Sequence, residues 1–235
     1  MTEHSHDQHV IIKLQGVTKV YQQGEVQVHA LRGIDLEVRA GEFLALTGPS
    51  GSGKTTALNM IGGLDEASSG SVMVAGKDMS KLSRGERSAL RRDRIGFVFQ
   101  AYNLIPVLTA YENAEMVLRL QGVPEAERKK KVMDILEAVG LQGMEDRRPD
   151  QLSGGQQQRV AIARAIVTEP VVTLADEPTA NVDSATAEML LDTMERLNRE
   201  RGATFIFSTH DPRVMKRARK IVHMVDGQIH SITEK

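Results

Sequence analysis

The stretch Glu42-Phe43-Leu44-Ala45-Leu46-Thr47-Gly48-Pro49-Ser50-Gly51-Ser52-Gly53-Lys54-Thr55-Thr56 decides how the rest of the chain is read. Its first six residues are a compact apolar run with the makeup of a buried strand. Gly48 to Thr55 then fit the pattern G-x-x-x-x-G-K-[ST], and a helical pattern runs from Gly53 to Ile61 and stops at Gly62-Gly63. A Gly-rich turn alone could match by accident, but one set between a strand and a helix reads as a phosphate-binding loop. Small residues let backbone N–H groups curl around phosphate oxygens, and the helix N-terminus adds a positive dipole end. Gly48, Pro49, Ser50, Gly51, Ser52, Gly53, Lys54, Thr55 and Thr56 are thus the expected nucleotide-binding residues. Lys54 is expected to reach the β- and γ-phosphates, and the Thr55 hydroxyl to coordinate Mg²⁺.

Farther along, two stretches fit the same chemistry. Val171-Val172-Thr173-Leu174-Ala175-Asp176-Glu177 is an apolar strand ending in two carboxylates. A buried strand can hold Asp176 rigidly, facing the loop, to bind Mg²⁺ through water, and Glu177 can polarise the water that attacks a γ-phosphate. Alone, the run reads equally as a strand and an acidic turn; beside a phosphate-binding loop the bland reading recedes. Leu152-Ser153-Gly154-Gly155-Gln156 opens a helix that continues through Gln157, Gln158, Arg159 and Val160. Ser153 is a good N-cap, and the two glycines leave backbone N–H groups exposed, which makes a second anion site. Two phosphate sites in one chain need a reason, and a shared nucleotide is the simplest.

The remaining pattern organises the chain. Val10 to Tyr21 and Val26 to Val38 read as strands joined by a turn at Gln22-Gln23-Gly24, and Ser71 to Ala75 and Ile95 to Phe99 as strands around a basic helix at Ser83 to Arg94. From Ala101 to Val167 the β signal vanishes, and Thr109 to Leu120, Pro124 to Val139 and Gly155 to Ile166 read as helices. Apolar strands resume at Val171 to Ala175 and Thr204 to Ser208, as a parallel sheet buried on both faces requires, with helices at Ser184 to Glu200 and Pro212 to Arg219 and a last strand at Ile221 to Ile229. The division expected is a tail over residues 1–9 and one nucleotide-binding domain over 10–235, in which 101–167 form a helical lobe inserted between the α/β segments 10–100 and 168–235.

Composition narrows the function. The 235 residues are 40% hydrophobic, enough for a sizeable core, and 30 Lys+Arg nearly cancel 31 Asp+Glu, so no global field favours nucleic acid or an anionic membrane. With 5 Phe, 3 Tyr and no Trp, the composition argues against stacking platforms for single-stranded nucleic acid and against aromatic-rich carbohydrate sites. The absence of cysteine removes disulfides, Cys-ligated zinc, iron–sulfur clusters and thiol catalysis at once. His4, His6 and His9 could bind a metal, but the first ten residues read as a solvated tail, without the apolar segment of a secretion signal. No apolar run approaches the ~20 residues a bilayer needs, so the expectation is a cytoplasmic chain whose membrane role comes through a partner, with no insertion of its own.

Together the phosphate-binding loop, Leu152-Ser153-Gly154-Gly155-Gln156 and the strand with Asp176 and Glu177 resemble, in order and spacing over nearly the whole chain, the nucleotide-binding subunits of ATP-binding cassette (ABC) transporters. The resemblance implies an α/β fold: a P-loop NTPase (RecA-like) core with an N-terminal antiparallel β-subdomain and an inserted α-helical lobe. It implies that Tyr21 stacks on adenine, that Gln100 is the Q-loop glutamine, that Asp183 is the D-loop aspartate and that His210 in Ser208-Thr209-His210-Asp211 is the switch histidine. Lys54, Glu177 and His210 would be catalytic, and Thr55, Gln100 and Asp176 would hold Mg²⁺. Two such subunits pack head to tail, so ATP on the loop of one meets Ser153, Gly154, Gly155 and Gln156 of the other. ATP closes this homodimer and hydrolysis opens it.

Phe99-Gln100-Ala101-Tyr102-Asn103-Leu104-Ile105-Pro106, Asn59-Met60-Ile61-Gly62-Gly63-Leu64-Asp65 and Glu177-Pro178-Thr179-Ala180-Asn181-Val182-Asp183 are similar to the lipoprotein-release, macrolide-efflux and cell-division (MacB/LolD/FtsE-like) branch, which more often has Gly and Leu where this chain has Ala180 and Val182. That branch implies a separate permease with a large extracytoplasmic domain, docked near Gln100 and the lobe around Tyr102 to Thr109, with the ATPase on the cytoplasmic face of the membrane. Leu104, Ile105, Val107 and Leu108 read there either as the docking surface or as lobe core. Two rivals remain: the ATPase of a small-solute (amino-acid type) importer, and a soluble ABC ATPase without a membrane partner. The ~100 residues between Thr55 and Leu152 lack the sustained heptads of the DNA-repair members of that second class.

Overall fold

The computed structural model describes residues 9–235; apart from His9, which is exposed, the expected tail with His4 and His6 lies outside the described residues. The chain begins with a hairpin of β1 (Val10–Gln23) and β2 (Val26–Arg39), paired antiparallel so that Tyr21 faces Val28. β3 (Phe43–Thr47) leads through the Gly-rich loop into α1 (Lys54–Ile61). β4 (Ser69–Val74) and β5 (Lys77–Asp78) complete a four-stranded antiparallel sheet in the order β2-β1-β4-β5. α2 (Arg84–Arg94) then delivers β6 (Ile95–Val98).

The inserted lobe follows as α3 (Ala110–Leu120), α4 (Glu125–Ala138) and α5 (Gly154–Ile166). β7 (Val172–Asp176), α6 (Ser184–Arg201), β8 (Phe205–Ser208), α7 (Pro212–Arg217), β9 (Lys220–Val225) and β10 (Gln228–Glu234) close the chain. The second sheet has the order β10-β9-β3-β8-β7-β6, parallel from β9 to β6. Among the described residues three α-helix starts carry full capping boxes, Ser83 with Glu86, Thr109 with Glu112 and Ser153 with Gln156. Each satisfies two otherwise orphaned N–H groups and contributes about 1 kcal/mol.

The apolar pattern of the central strands explains the layering. Successive side chains of β3 point to opposite faces: Phe43 and Ala45 join one cluster with the lobe helices and α6, while Leu44 and Leu46 join another with the β1–β2 hairpin and α1. β8 divides likewise, Phe205 and Phe207 on the lobe side and Ile206 on the other. The Phe43 ring lies 5.7 Å from Phe205 and 4.6 Å from Phe207, so three of the five phenylalanines form one tilted stack in the core. At the sheet edge Gly96 lets α5 approach, because a Cβ there would strike the Ala165 carbonyl.

Two expectations need correction. The stretch read as one terminal strand is a hairpin, β9 and β10, folding back at Asp226-Gly227, whose φ values of 47 and 78 suit a type I′ turn. β10 therefore adds an antiparallel edge to the parallel sheet. The helix read to Arg219 ends at Arg217, where Ala218 turns extended (ψ 133) and buries its methyl group in the core. The short 3₁₀ turns at Met79–Lys81 and Pro149–Gln151 carry no apolar period long enough to announce them.

Candidate functional site

β3, β7 and β8 end side by side, and the loops that leave them wall a pocket of about 830 Å³. Gly48, Pro49, Ser50, Gly51, Ser52, Gly53, Lys54, Thr55 and Thr56 line it, together with Tyr21, Gln100, Glu177 and His210. The sequence thus identified most of the wall. Ligands of open parallel sheets sit at such carboxyl ends.

In the loop, Lys54 is buried and its ammonium folds back to donate to the carbonyls of Gly48 (2.8 Å) and Pro49 (2.9 Å). That holds a cation where backbone N–H groups at the start of α1 also converge. Gly53 stands at φ 98, and a Cβ there would come within 2.6 Å of the Ala30 carbonyl, so only glycine lets the loop pass under the hairpin. The hydroxyl oxygens of Ser52 in the loop and Ser208 on the pocket wall are buried without a protein partner. Such orphans beside a pocket fit a ligand rich in oxygen acceptors.

Thr55 Oγ1 donates to the Asp176 carboxylate at 3.1 Å and 3.3 Å. A hydroxyl and a carboxylate joined at the start of α1 are hard oxygen donors of the kind Mg²⁺ takes when it shares its coordination with phosphates. Asp176 itself lies behind Thr55 and does not line the pocket.

Glu177 follows with φ 45, a left-handed conformation that costs a non-glycine residue on the order of 1 kcal/mol or more. Its N–H donates to the Ser208 carbonyl at 2.9 Å and its own carbonyl accepts from Ala180, which fix the turn. The carboxylate accepts from Thr209 Oγ1 at 3.1 Å and lies 2.7 Å from His210 Nδ1. Beneath this pair, Asp211 accepts from Thr179 Oγ1 at 2.8 Å and from Arg213, which braces the loop after β7 against the loop after β8.

Burial raises the Asp211 carboxyl, but the Arg213 side chain and N–H and the Thr179 hydroxyl override it and hold it at about 2. A depressed carboxyl contributes stability above its unfolded value of about 3.9 and loses it as pH falls through the folded value. Asp211→Asn should therefore melt below the parent protein at neutral pH, with the difference shrinking between about pH 4 and about pH 2. A difference that stays flat in melting curves across that window would show that the charge does not carry the brace.

Gln100 Nε2 reaches Asn181 Oδ1 at 3.4 Å, and Asn181 Nδ2 donates to the Gln100 carbonyl at 2.9 Å. Just beyond, Tyr102 and Asn103 are both left-handed, at φ 54 and 51. The Arg164 guanidinium on α5 donates to their carbonyls at 2.9 Å and 2.6 Å, and burial pulls its pKa below the usual arginine range.

Ser153, Gly154, Gly155, Gln156 and Asp183 are not on the pocket wall. The first four make the start of α5, and Asp183 caps α6 by accepting from Ala185 and Thr186 N–H groups, both at 3.0 Å. Gly155 has a packing role besides an exposed N–H, since a Cβ there would run into the Thr186 side chain. Pocket residues that sequence reasoning did not assign are Ala180 and Ser208, close to the expected Glu177 and His210, and, on the hairpin, Val28, His29 and Ala30. Only the hairpin register, which sets Val28 opposite Tyr21, could have found the last three.

Comparison with known proteins gives a consistent picture. A family model described as "ABC transporter" matches residues 31–180. An uncharacterized ABC transporter ATP-binding protein of Thermotoga maritima is 46% identical, with 94% of each chain covered. The lipoprotein-releasing system ATP-binding protein LolD of Novosphingobium aromaticivorans is 43% identical over 92% of this chain and 97% of its own. The macrolide export ATP-binding/permease protein MacB of Syntrophobacter fumaroxidans is 48% identical over 93% of this chain, which spans only 31% of that longer protein. Among solved structures, the ATP-binding cassette MJ0796 of Methanocaldococcus jannaschii, a dimer in a post-hydrolysis state bound to ADP and Pi, superposes with a TM-score of 0.88 at 42% identity, covering 95% of this chain and 98% of its own.

Proposed function

This chain belongs to the ABC transporter family of ATP-binding proteins, and from that premise we propose that it hydrolyses ATP in a head-to-tail homodimer to drive a separate membrane subunit of the MacB/LolD type. The observation that carries the reading is the separation of its two anion sites: the loop around Lys54 lines the pocket, whereas the N-terminus of α5 at Ser153 does not. A second copy, packed as in the dimeric cassette that this fold matches, brings its α5 to the phosphates.

In this proposal Tyr21 stacks on adenine, and the backbone of Gly48 to Thr56 with the Lys54 ammonium holds the phosphates. Thr55, Gln100 and Asp176 would hold Mg²⁺, which supplies charge neutralisation at the phosphate oxygens. Glu177 takes a proton from the water whose oxygen bonds to the γ-phosphorus as the β–γ bridging P–O bond breaks. His210 orients the Glu177 carboxylate and senses the γ-phosphate. Ser153 and Gly155 of the second copy offer N–H and hydroxyl donors to the same phosphate, Gln156 closes that loop, and Asp183 lies at the junction between copies. Residues 10–235 then act as one nucleotide-binding domain with the lobe over 101–167.

Among the described residues no helix is long and apolar enough to cross a membrane, so the proposed place is the cytoplasmic face of the membrane, held there by the permease. The docking surface proposed is the segment after Gln100: Leu104 packs against the lobe core, while Val107 is 69% exposed. The test is capture of the membrane partner. The Glu177→Gln chain, immobilised with ATP and Mg²⁺, should retain from detergent-solubilised membranes a permease with a large extracytoplasmic domain. A compact multi-span permease with a separate solute-binding protein would move the reading to import, and no membrane partner at all would leave a soluble ATPase.

A further inference from the structure

We infer, resting on the reading of Tyr21 as the platform for the base, that Asp65 is a positioning residue that sets the affinity for the nucleoside end of the ligand through Tyr21. Asp65 Oδ2 accepts the Tyr21 hydroxyl at 2.8 Å, and Oδ1 accepts Lys19 Nζ at 2.7 Å. The same ammonium sits 4.8 Å from the centroid of the Tyr21 ring and donates to the Glu66 carbonyl at 2.8 Å. Neither Lys19 nor Asp65 lines the pocket, whereas Tyr21 does. The aspartate therefore acts on any ligand through the ring. Charge-assisted bonds to a phenol tip and a cation over the ring fix an aromatic side chain that, half-exposed, would otherwise rotate. Burial and the Asp65 carboxylate both raise the Tyr21 pKa, so the phenol stays a donor.

What Asp65 is anchored to gives the contact its meaning. The N–H groups of Leu64 and Asp65 both donate to the Asn59 carbonyl, in the last turn of α1, at 2.9 Å and 3.3 Å. α1 begins at Lys54 and Thr55, which line the pocket. One helix, about 12 Å long for its eight residues, thus carries the phosphate cradle at one end and the tether of the base platform at the other. The turn beyond Asp65 is stitched to β1 as well: Ser68 N–H donates to the Thr18 carbonyl (2.8 Å), and Val20 N–H to Ser68 Oγ (3.0 Å). The span from cradle to platform is set within a rigid unit before a nucleotide arrives.

Steady-state ATPase assays on the full chain, with inorganic tripolyphosphate as a competing ligand that lacks a base, test this. Asp65→Ala should raise KM for ATP roughly fivefold with kcat nearly unchanged, and leave inhibition by tripolyphosphate as it was. Asp65→Asn, which keeps an oxygen for the phenol, should fall between, and it carries the test should the alanine variant not fold. In a Tyr21→Ala background Asp65→Ala should add nothing. The inference is overturned if the Asp65 effect persists in that background or extends to tripolyphosphate. It falls alone if Tyr21→Ala raises KM and neither Asp65 variant does, and it falls with the base-platform reading if Tyr21→Ala leaves KM unchanged.

Discussion

Glu177→Gln should lower ATP turnover by about two to four orders of magnitude while leaving ATP binding intact, so that with ATP and Mg²⁺ the chain elutes as a stable dimer. The expectation follows from the geometry around Glu177. Its carboxylate is gripped by Thr209 Oγ1 and His210 Nδ1, and its backbone is held left-handed by the Ser208 carbonyl. Glutamine keeps the size and an acceptor oxygen but is far too weak a base to take a proton from water. The phosphate that bridges the two copies then stays in place. Size-exclusion chromatography with light scattering reads the outcome directly. A monomer in the presence of ATP and Mg²⁺, with ATP demonstrably bound, would sink the two-copy site.

The second large effect separates the two halves of that site. Lys54→Ala removes the ammonium held over the Gly48 and Pro49 carbonyls, and Ser153→Arg places bulk and charge at the start of α5. Each variant alone should lose about 100-fold or more in ATPase activity, since each damages both sites of its homodimer. Mixed in equal amounts they should recover activity. Half of the dimers are then mixed pairs, and each contains one site with an intact loop facing an intact α5, so about a quarter of the sites are restored if pairing is random. Recovery also shows that both variants are folded, although Ser153→Arg loses an N-cap that contributes about 1 kcal/mol. If the mixture stays as inactive as its components, the loop and α5 of different copies do not share a nucleotide.

The site was legible where its chemistry is compressed into a few consecutive residues. Gly48 to Thr56, Asp176 and Glu177 each sit at a strand end that apolar runs announce, and the lobe announced itself by the disappearance of strand pattern between Ala101 and Val167. What the sequence hid are contacts between distant segments. Asp65 meets Tyr21 across 44 positions, and Arg164 meets Tyr102 and Asn103 across about 60, with neither residue type rare enough to point to the other. Val28, His29 and Ala30 join the pocket only because the hairpin folds in one register. Asp226-Gly227 was a visible turn pair, but the apolar residues on either side of it blended into a single strand pattern. For the glycines of α5, accessible N–H groups were the wrong place to stop, since Gly155 also makes room for Thr186.

The alternation along β3 bears on how the molecule can be taken apart. Phe43 and Ala45 floor the lobe while Leu44 and Leu46 roof the hairpin layer, so four consecutive residues are shared property of both halves. Excising the lobe would strip cover from Phe43, Phe205 and Phe207 together, and cutting before β3 would strip the hairpin from Leu44 and Leu46. Neither fragment keeps a closed interior, and an exposed aromatic trio is an invitation to self-association. The chain is therefore a poor candidate for splitting into complementing halves, and insertions belong at its exposed rims, such as the turn at Gly24-Glu25.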